Sequence, residues 1–323
     1  MRELIDLIYF LFPLFIATTV PLSIVALGGL FSERSGVVNI ALEGIMIMGA
    51  FLGIIVMRSL IENSELSLQT IAFIGLFTGA LFGMIYALLH AFASISMKSN
   101  QIISATALNM FAPAMSVFIA RTFWNTSNLN LMGNYTISKV PVLGDIPIIG
   151  RLLFTNAYLS TYLGIVIFIV ATIVLYKTKL GLRIRSCGEN PHAADSLGVN
   201  IYRIRYIGVL ISGALAGMGG VIFVLSFATR FSGSVAGFGF LALAVLIFGQ
   251  WHPKKIIFAA LFFATMRVIA DTYSVIPGLN ALELPREIYR MLPYIATLVV
   301  LSFASKRSRA PRAVGEPYDP SKR

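Results

Sequence analysis

The sequence predicts an all-α protein, a polytopic integral membrane helix bundle with about 8–10 transmembrane helices. Apolar residues make up 57% of the 323 residues. Charged residues make up only 12%, whereas a soluble domain has about 25%. A bilayer core requires about 20 predominantly apolar residues per helix, and stretches of this kind recur along the whole chain. We therefore exclude a soluble globular protein.

Nine apolar segments account for the predicted helices. They lie at about 7–30, 37–58, 70–96, 102–121, 158–176, 206–228, 236–250, 255–271 and 289–304. Nine full spans would place the N-terminus outside, whereas a re-entrant kink at 31–36 would change the count and the side. The loop at 122–157 is rich in Asn, Gly and Pro and has room for a re-entrant or interfacial helix.

The positive charges predict which ends of the helices face the cytoplasm. The net charge is +11, and basic residues concentrate at Lys177–Arg205 and Lys306–Arg323. Clusters beside membrane spans are a topology signal rather than a nucleic-acid site. Four segments separate the two clusters, so both fall on one side. We expect a single transmembrane domain at 1–305, with a cytoplasmic loop at about 177–205, and a disordered, basic, cytoplasmic tail at 306–323.

The chain lacks the patterns of a metal site, a nucleotide site or an enzyme. Cys187 is the lone cysteine, and His90, His192 and His252 lack metal-ligand spacing. No phosphate-binding G-x-x-x-x-G-K-[S/T] occurs, and the small residues of Ser212–Gly220 are better interpreted as a helix-packing surface. The sequence predicts no catalytic residues, no metal and no cofactor. Any transport would draw its energy from an ion gradient or a partner.

A polar break at Phe31–Gly44 interrupts the first two apolar segments. Polar side chains inside a bilayer normally face protein or water. Asn39 and Glu43 are four residues apart, which would place them on one helix face. We interpret them as lining a translocation pathway, with Glu33 and Arg34 at its mouth. The alternative is that all four residues are structural and fix a helix break.

A second polar cluster opens the segment at 102–121. It comprises Asn100, Gln101, Ser104, Thr106 and Asn109. Amides offer both donors and acceptors, which suits recognition of sugar hydroxyls or base edges. We assign Asn100, Gln101 and Asn109 to the pathway. Hydrogen bonding between helices is an equal alternative.

The basic loop contains a short helix with its own start and stop signals. Asn190 can cap a helix, and Pro191 is tolerated at its first position. His192–Leu197 would form about two turns, which Gly198 would end. Such a small helix has little core of its own to join. We interpret it as a docking element.

These segments resemble one family of membrane proteins. The run RIRSCGENPHAADSLGV followed by SGALAGMGG resembles the coupling-loop region of bacterial ABC importer permeases of the sugar, nucleoside and branched-chain amino acid group. SERSGVVNIALEGIMIMGAF is similar to the nucleoside branch, which works with basic-membrane-protein-type binding lipoproteins, and GFGFLALAVLIFGQWHP resembles a later span of that branch. The resemblance runs from about Gly28 to Pro253. Ala41 stands where the family often has Gly.

The resemblance implies the permease subunit of an ATP-driven importer in the bacterial cytoplasmic membrane. Its partners would be membrane lipid, two ABC ATP-binding subunits, a related or identical second permease, and an extracytoplasmic solute-binding protein, but no nucleic acid. ATP would bind only to the partner subunits. A short cytoplasmic coupling helix would contact them. The implied coupling residues are Gly188, Glu189, Asn190, Pro191, Ala193, Ala194 and Gly198.

Nucleosides are the cargo that this resemblance favours, followed by simple sugars. An ion-coupled secondary transporter is the alternative from a different class. It would require a carboxylate or sodium site within the membrane, for which Glu43 is the only strong candidate. The docking loop fits that alternative poorly.

Overall fold

The computed structural model describes residues 2–131, 133, 135–227, 230–276, 278–279, 282, 284–304 and 309–321. The helices are α1 (Arg2–Arg34), α2 (Leu42–Asn63), α3 (Leu68–Ala91), α4 (Gln101–Trp124), α5 (Ile149–Leu153), α6 (Leu159–Lys177), α7 (Lys179–Glu189), α8 (Pro191–Ser196), α9 (Ile201–Phe227), α10 (Phe238–Phe248), α11 (Pro253–Thr272) and α12 (Arg286–Ala304). A π-helical turn, Phe92–Ser96, extends α3. The short strands are β1 (Leu129–Asn130), β2 (Thr136–Lys139), β3 (Thr155–Tyr158) and β4 (Arg230–Phe231).

The predicted all-α membrane bundle is confirmed, since each of the nine apolar segments lies on a helix. Within the described residues, six helices are long and apolar enough to cross a membrane: α1, α2, α3, α4, α6 and α9. α10 has 11 residues. It is therefore only about 16 Å long, half of a hydrocarbon core of about 30 Å. The segment predicted at 236–250 thus contains a half-length helix.

Glycines allow α2, α3 and α9 to pack backbone against backbone at the centre of the bundle. A Cβ atom on Gly49 would overlap the Cα atom of Gly217, and one on Gly217 would overlap the carbonyl oxygen of Gly79. Gly213 makes a similar approach to α3. Close approach through small residues is the usual way in which membrane helices pack. The predicted packing role of Ser212–Gly220 is confirmed.

The two ends of the bundle differ in composition. We call the end that carries α7, α8 and residues 309–321 the basic end. At the opposite end, the loop at 122–157 contains the short helix α5 and short strands, with β2 pairing with β3 and β1 with β4. Arg151 of this loop lies over the ring of Tyr9, 4.8 Å from its centre. The start of α1 therefore lies at the opposite end.

The C-terminal tail differs from the expected disorder wherever the structure describes it. Its Ala313 N–H donates to the carbonyl of Gly188 (2.9 Å), and its Gly315 N–H donates to the carbonyl of Gly36 (3.1 Å). Tyr318 is buried. Backbone hydrogen bonds and one buried aromatic side chain thus hold a segment whose composition is polar. The parts of the predicted tail outside the described residues are 306–308 and 322–323.

Candidate functional site

The chain between α1 and α2, residues Ser35–Ala41, is not helical, although protein surrounds it; we call it the α1–α2 break. Irregular backbone that is buried in protein requires hydrogen-bond partners from the protein, because little water reaches it. Ser32 provides the first, since its hydroxyl donates to the carbonyl of Val37 (2.7 Å). Side chains of neighbouring helices provide the others.

Two predicted pathway residues of α4 bind the backbone of this region. The Oε1 atom of Gln101 accepts the N–H of Val38 (2.7 Å). Asn109 makes two bonds: its Nδ2 donates to the carbonyl of Ile40 (2.9 Å), and its Oδ1 accepts the N–H of Gly44 (2.8 Å). The amides of α4 therefore hold the break and the first turn of α2 in place.

His90 of α3 is a residue of this site that the sequence analysis missed. Its ring is buried, and its Nε2 donates to the carbonyl of Val38 (2.8 Å). Its Nδ1 lies 2.9 Å from the hydroxyl of Ser104. An ionisable residue inside an apolar segment was the available signal. The sequence analysis overlooked His90 because it considered the histidines only as metal ligands.

Asn39 is buried within the break and connects it to α9. Its Nδ2 donates to the hydroxyl of Ser212 (2.9 Å), and its Oδ1 accepts the N–H of Ala41 (3.1 Å). The expectation that Asn39 shares a helix face with Glu43 is wrong, because α2 begins only at Leu42. The backbone is not helical at the polar break. A spacing of four residues therefore does not place Asn39 and Glu43 on the same face.

Glu43 lies at the start of α2 and binds a different element. Its carboxylate accepts the N–H of Gly237 (3.0 Å) and that of Gly239 (2.7 Å) at the beginning of α10. Negative charge is favourable at a helix N-terminus, where free N–H groups and the helix dipole meet it. A Cβ on Gly239 would overlap the backbone of Glu43. Glu43 therefore anchors the half-length helix α10 against α2.

Glu33 and Arg34 form a clamp at the basic end. Arg34 donates to the carboxylate of Glu189 and to the carbonyl of Trp251, both at 2.9 Å. The indole N–H of Trp251 donates to the buried carboxylate of Glu33. The clamp joins the end of α1 to the end of α7 and to the turn between α10 and α11. The contacts of Glu33 and Arg34 are all within the protein, as the structural alternative for these two residues expects.

α8 has the start and stop that its sequence predicts. Asn190 is its N-cap, with Oδ1 accepting the N–H of Ala193 (3.1 Å), and Pro191 is its first residue. Gly198 has a φ of +79°, which favours glycine after a helix. Leu197, which lies between the last residue of α8 and Gly198, is 86% exposed. The tip of α8 thus presents an apolar side chain to the solvent.

The predicted coupling residues fall into two groups. Exposed at the basic end are Glu189, Asn190, Ala193 and Gly198. Buried beneath them are Gly188, Pro191 and Ala194. A Cβ on Gly188 would overlap the carbonyl oxygen of Arg34. The first group is open to a partner, whereas the second attaches α8 to the bundle.

Asn100 lies apart from the other pathway residues. It is the N-cap of α4, and its exposed side chain accepts the N–H groups of Ile102 (2.9 Å) and Ile103 (3.2 Å). The structure thus brings Asn39, Gln101 and Asn109 together around the break, with Glu43 directly after it. In the part of the chain that the structure describes, no three His, Cys, Asp or Glu residues are grouped to hold a metal ion.

Comparison with known proteins shows which family this chain matches. The family described as branched-chain amino acid transport system / permease component matches residues 13–301. The chain belongs to this permease family. As a permease subunit it is not itself an enzyme, and its apolar helices make it a multi-pass membrane protein.

Curated relatives cover nearly the whole permease. The nucleoside ABC transporter permease protein NupC of Lactococcus lactis is 40% identical over 94% of this chain and 94% of its own. The guanosine ABC transporter permease protein NupQ of Bacillus subtilis is 38% identical over 99% of this chain and 100% of its own. The putative glucose ABC transporter permease protein TsgC13 of Haloferax volcanii is 31% identical over 90% of each chain.

Proposed function

We propose that this permease forms the membrane pathway of an ATP-driven ABC importer whose cargo is nucleosides. Identity of 40% and 38% to a nucleoside and a guanosine permease over nearly the full length carries this proposal. The solute is moved and not chemically changed. A simple sugar is the second candidate, because a putative glucose permease is 31% identical.

ATP-binding subunits would dock on α8 at the basic end. α8 is capped and presents the exposed Leu197, so it offers a defined surface for a groove in the partner. Glu189 directly before it bonds to Arg34 at the end of α1 (2.9 Å). A push on α8 would therefore reach the long helix α1 without an intervening flexible loop.

The solute pathway would run beside the α1–α2 break. Discontinuous helices are common at transporter binding sites, and both the break and the half-length helix α10 are of this kind. Asn39, Glu43 and Asn109 would line or shape this pathway. Gln101 would contribute a donor, since its buried Nε2 has no hydrogen-bond partner in the described structure. Asn100 would lie at one end of it.

The remaining partners follow from the same arrangement. α4 is the least buried of the six long apolar helices, and a second permease subunit, identical or related, would cover part of it. The basic end, including the C-terminus, would face the cytoplasm. The solute-binding protein would deliver cargo to the opposite end, where the strands of the 122–157 loop lie. ATP would bind only to the partner subunits.

The experiment is uptake of radiolabelled guanosine, uridine and ribose into vesicles. The vesicles contain this permease, its second permease, the solute-binding protein and ATP, with or without the ATP-binding subunits. We expect nucleoside uptake that requires the ATP-binding subunits. Uptake of ribose alone would change the cargo to sugars. Uptake driven by an ion gradient without those subunits would contradict the importer.

A further inference from the structure

The C-terminal tail, residues 309–321, crosses from α7 to the α1–α2 break. Ala313 bonds to the carbonyl of Gly188, which directly precedes the α8 region, and Gly315 bonds to the carbonyl of Gly36. Gly36 has a φ of +96°, so its backbone adopts a turn that brings this carbonyl within reach. The two bonds start from positions two residues apart in the tail. They connect the buried end of α7, next to α8, to the break.

Tyr318 joins α8 to α9. Its ring centre lies 5.3 Å from that of His192 on α8 and 5.6 Å from that of Tyr202 on α9, with the second pair edge to face at 70°. Such distances are typical of stabilising aromatic pairs. Tyr318 is only 6% exposed. A single buried ring of the tail therefore fixes the position of α8 relative to a central helix.

A buried arginine holds the tail at the same place. Arg205 of α9 is 2% exposed, and one guanidinium nitrogen donates to the carbonyl of Glu316 (2.8 Å). The opposite side of the guanidinium lies against Gly36, where a Cβ would be 2.9 Å from a terminal nitrogen. A buried cation requires hydrogen bonds, and the tail supplies this one. The tail is thus part of the packed basic end.

The tail also shares a surface with α8. A cleft of about 210 Å³ separates them, with Asn190 and His192 on one side and Arg312 and Glu316 on the other. Arg312 and Glu316 are exposed. A subunit seated on α8 would meet these charged side chains of the tail.

We propose that the tail positions α8 for the ATP-binding subunit, forms part of its docking surface, and transmits its movement to the α1–α2 break. Tyr318 is the principal positioning residue. This inference rests on the docking role proposed for α8. The bond between Arg34 and Glu189 already connects the α8 region to the end of α1. The tail provides a second connection, which reaches the backbone of the break.

The test compares Tyr318→Ala with Tyr318→Phe in the assembled transporter. We expect Tyr318→Ala to lower co-purification of the ATP-binding subunit and ATP-dependent uptake by about tenfold, the factor corresponding to the loss of aromatic contacts of this kind. Tyr318→Phe keeps the ring and should restore both. Pro320→Ala, at an exposed tail position, is the matched control and should behave like the wild type. Uptake and co-purification unchanged in Tyr318→Ala would overturn the proposal.

A second pair of variants acts on the same contact from α8. His192→Ala removes one of the two ring contacts of Tyr318 and should reproduce part of the defect, and the double variant with Tyr318→Ala should be no worse than Tyr318→Ala alone. Additive defects would overturn the proposal, even if Tyr318→Ala also lowered the amount of folded permease.

Leu197→Asp separates this inference from the docking role itself. It disrupts the exposed tip of α8 without touching the tail contacts. If Leu197→Asp leaves uptake intact, the docking role of α8 is wrong. If Leu197→Asp abolishes uptake while Tyr318→Ala does not, docking stands and the positioning role of the tail is wrong.

Discussion

Single side chains in this permease hydrogen-bond the irregular backbone of the α1–α2 break. Asn109 satisfies two backbone groups, and His90 and Gln101 satisfy the two of Val38. An unsatisfied buried group costs about 1–3 kcal/mol, which exceeds the net gain of an ordinary hydrogen bond. Residues with this role resist substitution whether or not solute ever touches them.

Asn109→Leu tests this role at one residue. The change keeps the approximate size of the side chain but leaves the carbonyl of Ile40 and the N–H of Gly44 without partners. We expect a loss of about 2–6 kcal/mol in the free energy of unfolding, the sum for two buried groups at about 1–3 kcal/mol each. Thermal unfolding of the purified protein in detergent measures it. Thr106→Val on an exposed face of the same helix is the control, and equal unfolding temperatures of the two variants would contradict the role.

Glu189→Lys separates stability from coupling. It replaces the bond to Arg34 with repulsion at a partly exposed site, where such pairs contribute about 0–1 kcal/mol to stability. We expect a nearly unchanged unfolding temperature but a several-fold fall in ATP-dependent uptake. Glu62→Lys breaks a comparable pair with Arg58 at the opposite end and is the control. A similar uptake in both variants would count against the clamp as a coupling element.

At the scale of helices, glycine contacts make α2, α3 and α9 one packed unit. Gly49, Gly79 and Gly217 meet where these three helices cross. A methyl group at such a position forces whole backbones apart, because neither partner is a flexible side chain. The packed unit of α2, α3 and α9 contacts both the break, through the bond from Asn39 to Ser212, and α10, through α2.

Gly49→Ala should therefore destabilise the bundle more than an alanine elsewhere in a helix. Its Cβ would overlap the backbone of Gly217, and overpacking of this kind costs about 1–3 kcal/mol. A Cβ on Gly29 would meet only the ends of the Leu246 and Leu42 side chains, at 3.1 and 3.2 Å, so Gly29→Ala is the control. Thermal unfolding of both variants measures this difference, and we expect the lower unfolding temperature for Gly49→Ala. A larger loss for Gly29→Ala would refute backbone packing at Gly49.

How far the sequence predicts this structure depends on the range of each interaction. α8 was predictable because Asn190, Pro191 and Gly198 act within one short segment. α7 was missed as a helix because its short, basic pattern was interpreted as loop. The partners of Asn39 and Tyr318 lie far away along the chain, on α9 and α8. Only the folded chain brings them together, and no spacing rule could supply them.

At the scale of the whole molecule, the two ends of the bundle are built from different elements. The basic end gathers α7, α8, the clamp and the tail. The opposite end gathers the turn between α2 and α3 and the 122–157 loop, which are joined by a bond from Gln69 to the carbonyl of Tyr135 (3.1 Å). The importer proposed above would meet its ATP-binding subunits at the basic end and receive solute at the opposite end, which requires two ends that differ in this way.

Single-cysteine labelling tests which end faces the cytoplasm. Cys187 is fully buried, and burial raises the pKa of its thiol to about 11. Its reactive thiolate is therefore scarce at pH 7, so the native cysteine should stay unlabelled in the folded protein. Glu65→Cys lies in the exposed turn between α2 and α3, and Pro320→Cys lies on the exposed part of the tail.

A membrane-impermeant maleimide should label Glu65→Cys in intact cells and Pro320→Cys only after the membrane is opened. The wild-type protein is the control, since any labelling of it would report Cys187. The reverse pattern would place the basic end outside, where no ATP-binding subunit could reach α8. That result would reject the importer orientation while leaving the fold intact, because the contacts within each end do not depend on the side they face.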